Sequence, residues 1–382
     1  MAVFLDHNAT TPLHDEVVQA MLPILQSGIG NPSSLHRYGR LQKDVIEKAR
    51  EQVAQLVDAH PEEVIFTSGG TEANNLLIQG MVASGQVRRM AVSAIEHMSL
   101  LEPAENLADD CAVDYITVTN EGKVTAETLE QAIKADTRLV SVMAANNETG
   151  VIQDIAELVS ALDGRDIWFH TDASQAAGKI DFSFAKTGVN AMTLSAHKIY
   201  GPMGAGALVV DKRLPLKPLL TGGSQERKLR AGTENVAAIA GFGAAAELAH
   251  KEMSARASHV LELRTKLEQG LATMPAITVF AQEVERLPNT LQFGVKGFDG
   301  ETLLMQLDRM GIAVSSGSAC TSGKTEPSHV LKAMGVPEDL ALSAVRVSFG
   351  KDNTSADVTK LLSALTEIMK MSTSSVMMAA NV

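Results

Sequence analysis

The sequence has little cysteine, few aromatics, no basic excess and no long apolar run, and each lack excludes something. Two cysteines, Cys111 and Cys320, in 382 residues cannot make a disulfide framework, so a reducing, cytoplasmic setting is expected. Aromatics are 4% of the chain, which leaves Ala, Val, Leu, Ile and Met to fill the interior. A formal net charge of −12 argues against nucleic acid as a direct ligand, because phosphate binding is usually marked by a basic patch. No apolar run reaches about 18 residues, so no membrane span is expected. The opening MAVFLDHNATTP lacks the basic start and apolar stretch of a secretory signal. There is no sequence repeat and no Pro/Ser-rich linker.

What is present is length and alternation. The chain is long for one hydrophobic core, so two domains are expected. Between about residues 60 and 210, aliphatic runs read as buried strands: Val64–Phe66, Met90–Ser93, Ala112–Ile116, Leu139–Ala144, Ile167–His170, Ala191–Leu194 and Ala207–Val210. Helical stretches such as Ala126–Ala135 and Asp154–Leu162 lie between them. This alternation predicts an α/β fold with a mostly parallel sheet. A long helix over roughly Ala244–Met274 follows. Strands near Ile277–Phe280, Asn289–Phe293 and Ala344–Phe349, with helices between, predict a smaller α+β domain. The expected division is a large domain of residues 16–256 and a small one made of 1–15 with 257–382. Met371–Val382 has no clear periodicity and is expected to fray.

Three features converge at strand ends. Ser68-Gly69-Gly70-Thr71 stands between a strand and a helix, where glycines and free helix amides suit an anion; it also reads as a plain junction capped by Thr71. Lys198, in Ser195-Ala196-His197-Lys198, follows a buried strand. There it is either a turn lysine or an amine that burial makes reactive toward a carbonyl. Asp172 ends another strand, as a helix cap or as the partner of a ring nitrogen. Ligands of open α/β sheets bind beyond the carboxyl ends of the strands. Together an anion seat, an amine and a carboxylate there suggest pyridoxal phosphate (PLP). Glu96-His97 and Asn146-Asn147-Glu148-Thr149-Gly150 also follow strands, with His97 able to stack on a flat cofactor or move protons; both stretches also read as loops bonding their own backbone. Ser315–Gly323 is small and polar and carries Cys320, which should therefore be exposed on a mobile loop, where thiolate chemistry is open to it. Cys111, against a strand, reads as inert.

On these pieces the chain resembles the cysteine desulfurases, PLP enzymes of the class V aminotransferase superfamily, and is similar to the nitrogenase-maturation and housekeeping iron–sulfur types. The matches run from Leu5–Thr11 to Arg346. They include Asn31–His36, Thr67–Glu72, Glu96-His97, Asn146–Gly150, His170–Asp172, Ser195–Lys198, Arg230–Asn235 and Ser315–Ser322. The resemblance implies a PLP-dependent transferase fold and a set of roles. Lys198 forms the Schiff base with PLP and later moves protons. Asp172 pairs with the ring nitrogen, Gln175 bonds the phenolic oxygen, and His97 stacks on the ring as acid or base. Gly70, Thr71, Ser195 and His197 bind the phosphate, joined by Thr233 from a neighbouring subunit, which implies a homodimer. Asn147 contacts cofactor or substrate, and Arg346 clamps the substrate carboxylate. L-cysteine would become L-alanine, with the sulfur left as a persulfide on Cys320 and passed to an acceptor such as an iron–sulfur scaffold. No metal is implied. The chain departs from the family at His7, often Asn, and at Met203, often Lys. Met371–Val382 does not resemble the scaffold-docking tail of the housekeeping type. A transaminase of the same fold would need neither Cys320 nor its loop.

Overall fold

Short aliphatic runs bounded by turn residues become strands when both faces can be covered, because β-branched side chains pack well on a pleated surface. A computed structural model of the protein describes residues 2–316 and 326–379. The strands are β1 (Val3–Phe4), β2 (Val64–Thr67), β3 (Arg89–Ser93), β4 (Ala112–Ile116), β5 (Leu139–Ser141), β6 (Trp168–Asp172), β7 (Ala191–Ser195), β8 (Gly206–Val210), β9 (Ile277–Val279), β10 (Thr290–Val295), β11 (Ile312–Ala313) and β12 (Ala344–Ser348). Among the described residues, β2 to β8 form one sheet in the order β2-β8-β7-β6-β5-β3-β4. From β7 to β4 all neighbours are parallel, while β8 is antiparallel to β2 and β7. The fold is α/β with a mostly parallel sheet, as the alternation of the sequence requires.

The expected strand Leu139–Ala144 forms a ladder only over Leu139–Ser141. Beyond it the Val142 and Ala144 amides still reach the His170 and Asp172 carbonyls, at 3.1 and 3.0 Å, so the chain stays alongside β6 as far as Asp172. The long helix begins at Val236, not Ala244, and runs to Leu271. Its first turns are rich in Ala and Gly, which hide the usual apolar stripe. They lie close to the helix Arg37–Leu56: a Cβ on Gly243 would stand 2.7 Å from Ala49 Cβ. Asn235 starts the helix by accepting a hydrogen bond from the Ala238 amide.

One core packs this helix's first half with Ile46, Ala49, Val53 and Phe66 on one face of the large sheet; another covers the opposite face with Leu76, Leu77, Met81 and Leu100. The second half of the same helix contributes Leu263, Leu267 and Leu271 to a separate core with Leu5, Leu291, Phe293, Val345 and Leu361. There β12, β10 and β9 form an antiparallel sheet, and β1 pairs with β11. We propose that the chain divides where this helix passes from one core to the other. The final helix extends over Ser355–Ala379, so the tail is helical well past Met371. Met, Ala and Ser are tolerable helix residues, and no glycine or proline follows Gly350 to stop it.

One turn is strained. Glu226, Arg227 and Lys228 have φ of 43°, 56° and 67°, a left-handed run that costs L-residues about 1 kcal/mol each. The buried Glu226 carboxylate holds it, accepting from Arg50 Nη1 and Nη2, both at 2.8 Å, and from the Phe66 amide at 2.9 Å. Lys228 is exposed. Lys228→Gly is expected to raise the unfolding free energy in urea by up to about 1 kcal/mol. Arg50→Met, which leaves the buried carboxylate without its partner, is expected to lower it by about 3–5 kcal/mol; an unchanged midpoint would mean that this pair does not hold the turn.

Candidate active site

The carboxyl ends of β2, β6 and β7 lie on one edge of the large sheet, and the chain places one kind of group at each. After β2, the helix Gly70–Ala83 starts without a side-chain cap, so its first amides have no partner within the helix. A Cβ on Gly70 would stand 3.2 Å from Ser174 Oγ and 3.7 Å from Ser195 Cβ, so two hydroxyl side chains face this first turn. Gly206 makes the arrangement possible: a Cβ there would lie 2.5 Å from the Gly69 carbonyl carbon, so only glycine lets β8 pass beneath. Arg230 pairs with Glu72 at 2.8 Å, neutralising the acid nearest the helix start. Amides, hydroxyls and the helix dipole make this an anion seat.

At the end of β6 the Asp172 carboxylate accepts from Asn74 Nδ2 and from the Ser174 amide, each at 2.9 Å. Beside it, Glu96 is fully buried and accepts from the Met143 amide at 2.5 Å. Burial, reinforced by the Asp172 charge, pushes its pKa well above the ordinary carboxyl value, which favours a neutral acid. His97 caps the helix Met98–Asn106, its Nδ1 accepting from the Ser99 amide at 3.1 Å. The residue is exposed, yet the protein packed around its ring holds its pKa below the usual imidazole value. His170 lies inside the sheet, bonded to Ser141 Oγ and Thr193 Oγ1. Burial brings its pKa down to about 4.

Past β7 the chain makes a short 3₁₀ turn, Ala196–Lys198. Lys198 Nζ donates to the Asn8 and Ala9 carbonyls at 2.7 and 2.8 Å. Burial, then the Arg346 charge, lowers its pKa to about 8, against the opposing pull of Asp172 and Asp6. His197 bonds Thr10 Oγ1 at 3.2 Å and is neutral near pH 7, its pKa brought to about 4 by burial and by Lys198. Gln175 donates from Nε2 to the Asn8 carbonyl at 3.0 Å, and its Oε1 accepts from Lys179 Nζ at 2.6 Å. Opposite, buried Arg346 donates to Asp6 Oδ1 at 2.6 Å and to the Asn147 carbonyl at 3.0 Å. Among the described residues its Nε has no hydrogen-bond partner.

The structure thus gathers Asp172, Gln175, Ser195, His197, Lys198, Asn147, Arg346 and the Gly70–Thr71 turn about one edge, with His97 at its rim. Thr233 is exposed, on the segment between Arg230 and the long helix. Cys320, with most of Ser315–Ser322, lies outside the described residues. Cys111 is buried, which pushes its thiol pKa up to about 11. Of the two departures, Met203 is on the surface. His7 is buried, donates from Nδ1 to the Ser348 carbonyl at 3.1 Å, and lines a cavity of about 40 Å³ with Lys179, Lys198, Tyr200 and Arg256. Sequence reasoning gave no role to Asn8, Lys179 or Asn74. Asn8 stood within the matching Leu5–Thr11, but nothing local in the sequence marks a residue whose partners are more than a hundred positions away.

The family described as Aminotransferase class-V matches residues 3–361. The chain belongs to the class-V aminotransferase family. Among curated class-V relatives, a cysteine desulfurase IscS of Dictyoglomus turgidum is 42% identical over 372 residues, 96% of this chain and 94% of that protein. Another, from Methanosarcina thermophila, is 41% identical, covering 97% and 92%. A solved NifS-like protein superposes with a TM-score of 0.91 at 37% identity, over 97% of this chain and all of that one.

The Lys198 amine is open to titration. In cofactor-free protein, acylation of Lys198, read by peptide mass mapping, is expected to have its midpoint near pH 8, because only the deprotonated amine reacts. Asp172→Asn removes a neighbour that favours the ammonium and should move the midpoint down. Arg346→Gln removes a competing cation and should move it up. A midpoint near the ordinary lysine value of about 10.4 would place this amine in water.

Proposed function

We propose that this protein is a PLP-dependent cysteine desulfurase: it converts L-cysteine to L-alanine and leaves the sulfur as a persulfide on Cys320 for transfer to an acceptor. The observation that carries the reading is the placing of the Lys198 amine, Asp172 carboxylate and Gly70–Thr71 anion seat at neighbouring strand ends, opposite the buried Arg346. These groups fit PLP. Lys198, with a pKa near 8, would hold its aldehyde carbon. Asp172 would keep its ring nitrogen protonated, and Gln175 Nε2 would face its phenolic oxygen. Gly70, Thr71, Ser195 and neutral His197 would hold the phosphate. When bound, PLP supplies an electron-poor ring that stabilises negative charge at an amino acid's α-carbon. The names of the relatives choose the substrate among amino acids.

In this reading Arg346 orients the cysteine carboxylate, its planar fork and the free Nε suited to two oxygens. Asn147 lines the same wall. Lys198, freed by substrate, takes the α-proton, and its lowered pKa leaves much of it neutral near physiological pH. His97, whose lowered pKa favours the neutral ring, can move a proton at the rim. The Cys320 thiolate attacks the substrate's sulfur: a sulfur–sulfur bond forms as the carbon–sulfur bond breaks, and the electron pair stays with the carbon fragment. That fragment gains protons and leaves as alanine.

The active unit in this reading is a homodimer, with Thr233 reaching the neighbour's phosphate. Leu25, Ile29, Leu35 and Tyr38 support it: these exposed apolar residues follow one another along the first two helices and the turn between them. The acceptor is a protein such as an iron–sulfur scaffold. Among the described residues no helix is long and apolar enough to cross a membrane.

With PLP, L-cysteine and a reductant, the protein is expected to release equal amounts of alanine and sulfide; absence of alanine would end the desulfurase reading. Cys320→Ala should abolish turnover and leave the cofactor's visible absorbance intact, whereas full turnover by this variant would remove Cys320 from the reaction. Sedimentation should give a dimer, and Leu25→Glu with Ile29→Glu should shift it to monomer with weaker PLP binding; a wild-type monomer with full activity would exclude the shared site.

A further inference from the structure

A hydrogen-bond chain runs from Asp172 to His97 through two residues that the reaction just described does not use. Asn74 lies on the helix Gly70–Ala83, four residues after Gly70 and so on the same face. It is fully buried. Its Nδ2 donates to Asp172 Oδ2 and to Ser99 Oγ, each at 2.9 Å. Ser99 Oγ stands 2.8 Å from His97 Nδ1, and the Ser99 amide donates to the same nitrogen at 3.1 Å.

The direction of each bond follows from its partners. A carboxylate oxygen only accepts, so the end of Asn74 that meets Asp172 is its NH2 group. That group has two hydrogens, and the second goes to Ser99 Oγ. A backbone amide only donates, so His97 Nδ1 is an acceptor and bears no proton. Ser99 Oγ, which already accepts from Asn74, turns its own hydrogen toward Nδ1. Burial, the largest cause of the lowered His97 pKa, favours the neutral ring. The donors about Nδ1 decide which neutral form that ring takes: its proton sits on Nε2, an atom with no hydrogen bond among the described residues.

The far side of the Asn74 amide shows that its donors matter. Asn74 Oδ1 is buried and has no hydrogen-bond partner among the described residues, which is a penalty at that depth. A leucine would fill much the same space without it. What asparagine adds at this place is a pair of donors, and both are used on the path to His97.

We propose that Asn74 and Ser99 are positioning residues that tie His97 to the Asp172 carboxylate and keep its ring as the Nε2–H tautomer. The inference rests on the desulfurase reading and narrows the part of His97 in it. At Nε2 the neutral ring donates a hydrogen bond and does not accept one. To accept there, the ring would first have to carry its proton on Nδ1, against the Ser99 amide.

The test uses nitrogen NMR of the PLP-loaded, histidine-labelled protein, with the His97 signals assigned by their loss in His97→Gln. Wild-type His97 should hold its proton on Nε2 at neutral pH. In Ser99→Ala the Nε2–H share should fall, and kcat for alanine release should drop about tenfold as the ring loses its place. This variant leaves Asp172 and the anion seat untouched, so PLP affinity and KM for cysteine should stay within about twofold. Asn74→Leu should lower the Nε2–H share and kcat likewise. Ser99→Thr keeps the hydroxyl and should restore both. Should Asn74→Leu fail to fold, Ser99→Ala, at a half-buried position, carries the comparison. A wild-type ring protonated on Nδ1, a Ser99→Ala protein whose tautomer or kcat matches wild type, or a loss that Ser99→Thr does not rescue overturns the proposal. Failure of the wild-type protein to make alanine overturns the desulfurase reading instead, and the nitrogen signals still decide where His97 holds its proton.

Discussion

Asn8 is the knot that ties the site together. Every polar atom it has is bonded: its amide to Ser348 Oγ, its carbonyl to Lys198 and Gln175, its Oδ1 to Lys179 and Asn289, its Nδ2 to Thr290 Oγ1 and the Asn147 carbonyl. It is 1% exposed, and an unsatisfied amide at that depth would cost about 1–3 kcal/mol for each missing partner. Its partners come from the large sheet and from the sheet of β12, β10 and β9. The two cores therefore cannot shift against each other without breaking these bonds.

The same knot sets the electrostatics. Lys198, Lys179 and Arg346 crowd into one region, and among the described residues Asp172 and Asp6 oppose them at Lys198. Burial and mutual repulsion push the Lys179 amine well below the usual lysine value and Lys198 to about 8. Carbonyl oxygens satisfy the Lys198 amine without fixing a charge on it. A carboxylate in their place would hold the ammonium and remove the nucleophile. The nearby histidines follow the same logic: buried His170 and half-buried His197, with pKa near 4, fill space and make hydrogen bonds while adding no further cation.

The sheet was legible because buried parallel strands announce themselves as aliphatic runs, and the site because its groups stand at the ends of those runs. Asp172, Lys198 and the Gly69–Thr71 turn could be placed by that rule alone. Gln175 and Arg346 needed the family resemblance, since a glutamine in a turn and an arginine inside a strand carry no local mark. Asn8 and Lys179 went unread because their meaning lies in contacts across the chain. The boundaries that moved did so for local reasons. The Ala/Gly start of the long helix buries a nearly uniform surface and so shows no stripe, and the Met- and Ser-rich tail is helical although its pattern names no face.

Two half-buried lysines stand near the proposed cofactor site, and their surroundings differ. Lys179 follows Gly178, whose φ of 72° turns the chain away from the strand ends. Its amine is spent on two side-chain oxygens, Gln175 Oε1 and Asn8 Oδ1. Those bonds go with one facing of the Gln175 amide: Oε1 accepts from Lys179 Nζ, and Nε2 donates to the Asn8 carbonyl that Lys198 also touches. Lys198 follows directly on β7, whose last residue, Ser195, faces the helix start at Gly70. It is the lysine that shares a strand end with the anion seat and feels Asp172. Lys179 acts one bond further out, by keeping a donor turned toward its neighbour, and a low pKa by itself would not have told the two apart.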